Sequence, residues 1–440
     1  MISSGIMRRL GRILPVVAAG LIAIPGARTA GARPAPTTTA KAVPPAPAPQ
    51  ADPAAPAPIA NEPAPKPPVP ITTPTPPSPN AYDYYVRAIE AVKDVRFDDP
   101  NLALSTSDKQ DIIDKNAEAL KLCRDAEKYP FQAPPIRTFD IDFGSFSAFR
   151  SLGRLMRFRS ELQGTQGKWP EAAASALDAV DLGIKMTENG PLIQTLVGNA
   201  VESIGRKPLA DAVPHLDAPA AIDLAARLAK IEANRPPYAD VLKEEQISSE
   251  ASALELMKDD AQWSGFTQNS AFGGHPPTKQ AVLDSYVTYM NKAIESAHKP
   301  FVAPNKPPVH DRGLDQMEAV GDPTFRVKFD SDRADNAIMI VQLGLQAFRK
   351  TNGAYPDNLS DLTPSILPEL PTDPFAPSSP IRYVKTGSGY ILYSVGPDGK
   401  DNGGAPIDDA SLSKMDDTGR LRHIVTVTSK GDIVAGVNTF

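Results

Sequence analysis

Proline is spread unevenly along this chain, and that unevenness bounds what can fold. Of its 47 prolines, 18 fall between Pro34 and Pro79. Residues 33–80 hold no aromatic side chain and few aliphatic ones larger than alanine; Pro, Ala and Thr dominate. Such a segment has too little apolar surface to offset its conformational entropy, so it is expected to be disordered and to favour extended polyproline II. At about 3.1 Å per residue it would reach on the order of 150 Å when stretched, the dimension of a stalk. Folding is left to the rest of the 440 residues, which are 41% hydrophobic and long enough for two or three domains.

Ahead of the proline segment, Arg8, Arg9 and Arg12 precede an apolar run over 13–24, and small residues follow at Ala30-Gly31-Ala32. Basic, apolar and small-residue regions in that order are those of a secretory signal peptide over 1–32, with cleavage after Ala32. The apolar run is shorter than the roughly 20 residues a spanning helix needs. An uncleaved anchor is the other reading, and membrane contact is expected only in that case. Either way the folded part is placed outside the cytoplasm, in the periplasm, at the cell surface or secreted. The net charge of −6 and the lack of a Lys/Arg cluster beyond the N-terminus argue against nucleic acid as a partner. The single cysteine, Cys123, leaves no intramolecular disulfide or cysteine-built metal cage, and its place on a stripe with Ile113 and Leu120 reads as a buried structural thiol.

Residues 81–298 read as an all-helical domain. Apolar positions recur every three or four residues from Tyr82 through Val95, and again over 107–129, 145–163, 170–189, 191–213, 218–233, 238–263 and 278–298. Pro134-Pro135, Gly164 with Gly167, Gly190-Pro191, Pro219, Pro236-Pro237 and Gly273-Gly274 punctuate these stretches. Within 152–186, one helix carries Leu152, Leu155, Met156 and Leu162, a Gly-x-x-Gly turn follows, and the next helix offers Ala172, Ala176 and Ala179 for close packing. That hairpin resembles the tetratricopeptide type, although no second copy appears at its repeat length. A helical-hairpin or solenoid-like interaction domain is the expectation. In 139–143, Phe139, Ile141 and Phe143 alternate with Asp140 and Asp142, which reads as a short extended segment and not as a catalytic acid pair.

A Pro- and Gly-rich linker is expected over 299–324 and a small α+β domain over 325–440. Ala337, Ile340, Val341, Leu343, Leu345 and Phe348 mark a helix that Asn352-Gly353 would stop in a left-handed turn. Tyr355-Pro356 would fold the chain back, Asp373-Pro374 would turn it, and the apolar positions of 381–395 predict a β-hairpin about Lys385–Gly389. A second hairpin is predicted from 422–427 and 432–437 about Lys430-Gly431. Taken together, Asn352-Gly353-Ala354-Tyr355-Pro356, then Leu370-Pro371-Thr372-Asp373-Pro374-Phe375, then Gly389-Tyr390 and Ser394-Val395-Gly396-Pro397-Asp398-Gly399 resemble the soluble head of the type II secretion major pseudopilins, the G type. The resemblance spans roughly 332–409. It implies the head fold and a calcium loop held by Asp398, Asp401, Asn402, Asp408 and Asp409. The family's prepilin-peptidase site and membrane helix have no counterpart here, so filament assembly is not carried over.

The residues of that loop leave two readings open, a calcium site or a bare β-turn with solvated acids. An EF-hand register starting at Asp398 fails, because Lys400 falls where a ligand is needed and no helix pair flanks the loop. A phosphate loop fails as well, for want of Gly-Lys-Ser/Thr and a receiving helix N-terminus.

Nothing in the sequence nominates an active site. His215, His275, His298, His310 and His423 are dispersed, and G-x-S-x-G is absent. The expected function is therefore an exported, non-catalytic envelope or surface protein with a protein partner in the envelope. The alternative is an extracytoplasmic hydrolase whose site is assembled from acids in the helical domain.

Overall fold

The computed structural model describes residues 64–99, 101–269, 278–304, 323–408, 414–415, 421–422 and 424–439. The expected signal peptide, most of the Pro-rich segment, most of the linker over 299–324 and the candidate ligand Asp409 lie outside the described residues. Among the described residues eleven α-helices come first and a small antiparallel sheet region follows them. None of these helices is long and apolar enough to cross a membrane.

The helices are α1 Ala81–Glu90, α2 Thr106–Lys115, α3 Ala117–Ala126, α4 Phe143–Thr165, α5 Trp169–Thr187, α6 Leu192–Ala212, α7 Ala218–Ala233, α8 Tyr238–Met257, α9 Asp260–Asn269, α10 Lys279–Ala297 and α11 Pro323–Asn352. The long pattern over 107–129 is split in two at Asn116. Its side chain is drawn away to accept from Lys93 N (2.8 Å) and to donate to Asp94 O (2.7 Å), tying the break to the loop after α1. The pattern over 238–263 is likewise interrupted before α9, whose first turn is capped by Asp259 through Ala261 N and Gln262 N. Asp142, one of the alternating acids, is the N-cap of α4 and accepts from Gly144 N at 2.9 Å.

Helix α5 is the axis of the helical body, buried on nearly every side from Ala172 to Thr187. It meets α6 backbone to backbone. A Cβ on Gly183 would lie 2.6 Å from Gly198 O, so the crossing admits no side chain there. On its other side α5 packs against α4, where Ser160 donates to Ala172 O at 2.7 Å.

The Pro-rich segment departs from the expectation at its end. Residues 64–80 run along the helical body, and Asn80 anchors them by capping Tyr82 N and by exchanging hydrogen bonds with the main chain of Gln132. Main-chain groups of Lys66, Val69 and Thr72 are met here by side chains of the body.

In the C-terminal part, α11 ends where Gly353 takes a positive φ of 79°. Tyr355 then packs edge-on against Tyr390, and Tyr383 Oη donates to Pro356 O (2.8 Å). Strands β1 Thr372–Asp373 and β2 Ala376–Pro380 pair with each other, and β3 Arg382–Thr386 pairs with β4 Gly389–Ser394 in the expected hairpin. The second hairpin predicted from 422–427 and 432–437 is not formed. Instead β7 Ile433–Val434 adds to β4, and β6 Leu421–Arg422 pairs with β5 Lys414–Met415. The reason is that Asp432 is already taken by the preceding loop: its N–H donates to Ala405 O (2.8 Å) and its C=O accepts from Ile407 N (3.0 Å).

One hydrophobic core runs from the helical body into the sheet region. It includes Leu177 and Val180 of α5, Leu224, Ala225 and Leu228 of α7, Ile338, Val341 and Leu345 of α11, and Leu392, Val395 and Ile433 beyond. A second core, rich in aromatic rings, joins α1, α3, α4 and α5 around Tyr85, Phe131 and Phe149. Cys123 is buried in it, with burial pushing its thiol pKa up, as an inert structural thiol requires.

Candidate functional site

The loop after β4 is organised by two aspartates. Asp401 accepts from Tyr393 Oη (2.8 Å) and Gly403 N (3.0 Å), and Arg382 Nε lies 3.4 Å from its other oxygen. The Gly403 N–H, helped by Tyr393 and Arg382, holds the Asp401 carboxyl below its ordinary value. Asp432, fully buried, accepts from Asn402 N (3.2 Å) and Gly404 N (2.7 Å) and so fastens the loop to the last strand. Burial raises its pKa, and the two loop N–H groups work against that rise. Left-handed glycines at 396, 399, 403 and 404 give the chain its curl.

The sequence-predicted ligands are dispersed around this frame. Asp398 turns back to Lys400 N (3.0 Å), Asn402 donates to Lys400 O (3.0 Å), and Asp408 stands exposed at the far end. Among the described residues no three His, Cys, Asp or Glu side chains converge as a metal-holding group. The donor set fits a hard cation only in part. Asp401 supplies carboxylate oxygen, while the Arg382 guanidinium beside it competes for the same charge. Asp432 was not among the sequence candidates, since it lies some 30 residues along the chain from the loop it caps.

A second buried aspartate serves the same corner. Asp373 accepts from Phe375 N (3.0 Å), Ser394 Oγ (2.7 Å) and Val395 N (2.8 Å). It pins the turn after β1 to the end of β4, directly ahead of the loop. Burial raises its pKa against those three donors.

Where α6, α7 and α11 meet, charged side chains are buried together. Arg206 is 3% exposed and Glu202 has no exposure. Arg206 donates to Asp332 Oδ1 (2.7 Å), Asn336 Oδ1 (3.1 Å), the Asp332 carbonyl (3.0 Å) and Glu202 Oε1. Asp335 completes the set at 3.4 Å. Arg235 in the turn before α8 reaches Glu202 (2.7 Å) and Glu232 (2.9 Å), and Asn336 Nδ2 donates to the same two carboxylates, each at 2.7 Å. Burial disfavours the Arg206 charge, but the surrounding carboxylates outweigh it and raise its pKa. The arrangement is an electrostatic weld between the helical body and α11. It offers no free reactive group on the guanidinium side, since every Arg206 nitrogen is engaged.

A third grouping lies between α3, α5 and α7. Asp178 takes Arg159 (2.5 Å) on one oxygen and Arg227 (2.7 Å) on the other, and Arg227 also reaches Glu127 (3.0 Å). Burial, and after it the neighbouring Asp178 charge, pushes Glu127 up to about 8. One turn along α5, Asp181 is 6% exposed and burial pushes it up to about 6; further on, burial pushes Glu188 to about 7. Lys185 stands between them and donates to Tyr129 O (3.1 Å). Asp178, Asp181, Lys185 and Glu188 follow the helical repeat, so this polar stripe inside a buried helix is a signal that the sequence carried.

No protein-family model matches the chain, and no curated protein and no solved structure matches it.

Proposed function

We propose that this chain is an exported, non-catalytic envelope or surface protein whose helical body and pseudopilin-like head act as one scaffold for a protein partner. The observation that carries the reading is the burial of α11. Here its face is covered by α7, through Ala334, Ile338 and Val341 against Leu224, Ala225 and Leu228, and by the Arg206 weld. The reading of the head as type II secretion G-like is supported by the order of its parts: the long helix, the Gly353 stop, the Tyr355-Pro356 fold-back, the hairpin and the glycine-rich loop. Calcium would be held at the loop, with Asp401 as the principal carboxylate.

Two measurements on the full chain test this. Fractionation of cells expressing a C-terminally tagged chain should find it outside the cytoplasm, and deletion of residues 1–32 should retain it inside; identical fractions for both would overturn export. Calorimetric titration with calcium chloride should give saturable heat, with Asp401→Asn weakening binding at least tenfold. No heat, together with no change in melting temperature at millimolar calcium, would remove the metal.

One observation favours the hydrolase alternative: Glu127, which burial pushes up to about 8, is apposed to a second carboxyl, Asp178, with which it shares Arg227, and a proton-holding carboxyl beside another is an arrangement that general acid–base catalysis uses. Turnover of chromogenic ester or glycoside substrates that Glu127→Gln abolishes would install that reading. Turnover that survives the substitution, or none at all, would end it.

A further inference from the structure

The chain leaving α3 is fastened to the helical body at Glu127, Tyr129 and Phe131, and an ionisable side chain takes part in each fastening. Arg227 of α7 donates to Glu127 Oε2 (3.0 Å) and to Asp178 Oδ1 (2.7 Å), so one guanidinium serves two carboxyls. Lys185 of α5 donates to Tyr129 O (3.1 Å), and the Glu188 carboxyl just past the end of α5 faces the main-chain N–H of Phe131. Lys128 and Pro130, between these positions, are exposed. The Phe131 ring packs against Tyr82, Tyr85 and Phe149 in the aromatic core that also holds Cys123, so parting at this seam opens that core.

Charge in the seam does not balance when every acid is ionised. Glu127, Asp178, Asp181 and Glu188 stand against Arg159, Arg227 and Lys185, and Arg159 of α4 is already committed to the second oxygen of Asp178 (2.5 Å). Asp178 and Asp181 are each 6% exposed and Lys185 is 7% exposed, so an unmatched carboxylate would lie in a poor solvent for charge and holds a proton instead. Burial pushes Glu127 from 4.5 to about 8, Asp181 from 3.8 to about 6 and Glu188 from 4.5 to about 7. Tyr85 of α1 and the Cys123 thiol of α3 face the same acids, with Arg124 the cation beside the thiol. Burial raises both of their pKa values, so neither ionises in this range.

We propose that this seam is a proton-operated latch: it holds the layer of α1, α2 and α3 on the body while its carboxyls keep their protons, and it frees that layer, opening the aromatic core, as the protons are lost. A carboxyl whose folded pKa lies above its unfolded value favours the closed state by a contribution fully present below the unfolded pKa and lost as pH rises through the folded one. For Glu127, Asp181 and Glu188 that loss runs from about pH 4 to about pH 8. Each proton given up on opening multiplies the opening equilibrium by about ten per pH unit. The latch acts without a substrate, so it stands apart from the hydrolase alternative, from export and from the pseudopilin-like head.

The test reads Cys123, the single cysteine, in the full chain. Its rate of reaction with dithiodipyridine is divided at each pH by that of a peptide of residues 117–129, which removes the ionisation of the free thiol and leaves the opening equilibrium. This ratio should rise at least tenfold between pH 5.5 and pH 8.0. In Glu127→Gln/Asp181→Asn/Glu188→Gln, whose seam has lost those three protons to titrate, it should change less than threefold. A Cys123→Ser/Ile338→Cys chain moves the thiol to the other core, where Ile338 has no exposure, and its ratio to a matching peptide should also change less than threefold. A wild-type rise of less than tenfold would overturn the latch. So would an equal rise at position 338, which would mean that the whole molecule loosens, or an undiminished rise in the triple variant with a wild-type circular dichroism spectrum. Should the triple variant fail to fold, the profiles at positions 123 and 338 decide: a rise at the first alone supports the latch, and any other pair refutes it.

Discussion

Replacing Arg206 with methionine tests whether the helical body and α11 are welded by charge. Arg206 is 3% exposed and is the only cation that reaches Asp335 among the ion pairs of the described residues. After substitution Glu202 keeps Arg235 at 2.7 Å, and Asp332 keeps Lys328 at 3.5 Å, whose own side chain is 45% exposed and well screened. Asp335 loses its partner and Asp332 its better one. Breaking a buried pair by removing one member costs about 3–5 kcal/mol, because a charge is left uncompensated in a poor solvent. The neighbouring Lys207 is the control, since it pairs with Asp211 at the surface with 39% and 58% side-chain exposure. Lys207→Met should cost no more than about 1 kcal/mol. Asp335 already sits at about 7 through burial, opposed chiefly by Arg206. Without Arg206 its folded pKa rises further above the unfolded value, so the variant's deficit should grow as pH rises through neutrality and shrink toward pH 5. Urea unfolding followed by circular dichroism at pH 5 and pH 7.5 measures both effects. Adding Asp332→Leu should recover part of the loss, as apolar replacements of buried ion pairs tend to. An Arg206→Met deficit within about 1 kcal/mol of the Lys207→Met value at pH 7.5, or one indifferent to pH, would refute the weld.

The other predictions concern packing, protons and the corner ahead of the glycine loop. Gly183→Ala forces a methyl group toward Gly198 O and the Glu202 main chain, and should cost about 1–3 kcal/mol in urea unfolding; an unchanged midpoint would mean α5 and α6 can part without loss. Asp181, facing Asp178, Glu127, Tyr85, Lys185 and Arg227, has its folded pKa raised from 3.8 to about 6 by burial. The folded state then binds the extra proton, so its stabilising contribution is present below pH 4 and is lost as pH rises through 6. Asp181→Asn should remove that loss and gain on wild type by up to about 3 kcal/mol between pH 4 and pH 7; parallel stability curves would contradict it. Asp373→Asn replaces a carboxylate that accepts three donors and should destabilise by about 3 kcal/mol, with thermal unfolding as the readout and a loss below about 1 kcal/mol as the contrary result.

What could be read from the sequence is what short-range physics decides. The helical repeat placed α4 to α7 within a few residues, and the alternation about Lys385–Gly389 placed the β3–β4 hairpin, because both patterns are completed within one element. The misreadings share one cause, a distant residue that took a group which local rules had assigned elsewhere. Asn116 looks like an interior helix position until Lys93 and Asp94 claim its side chain. The second hairpin was a sound local expectation until Ala405 and Ile407 claimed the main chain of Asp432. The proline segment looked unable to fold because its own composition offers nothing to bury. Its partner Gln280 lies 214 residues away and supplies what the composition lacks. The weld is illegible for the same reason: Arg206 and Asp332 are separated by 126 residues, and a lone arginine on an apolar helix announces neither its partner nor its burial. Four aspartates crowded in one loop are the converse case. Proximity in sequence suggested that they act together, yet backbone N–H groups two residues on capture Asp398 and Asp401 one at a time. Acids adjacent in a turn are close enough to be satisfied by the turn itself. It is the distant Asp432, buried and aimed back into the loop, that turns a run of acids into a structure.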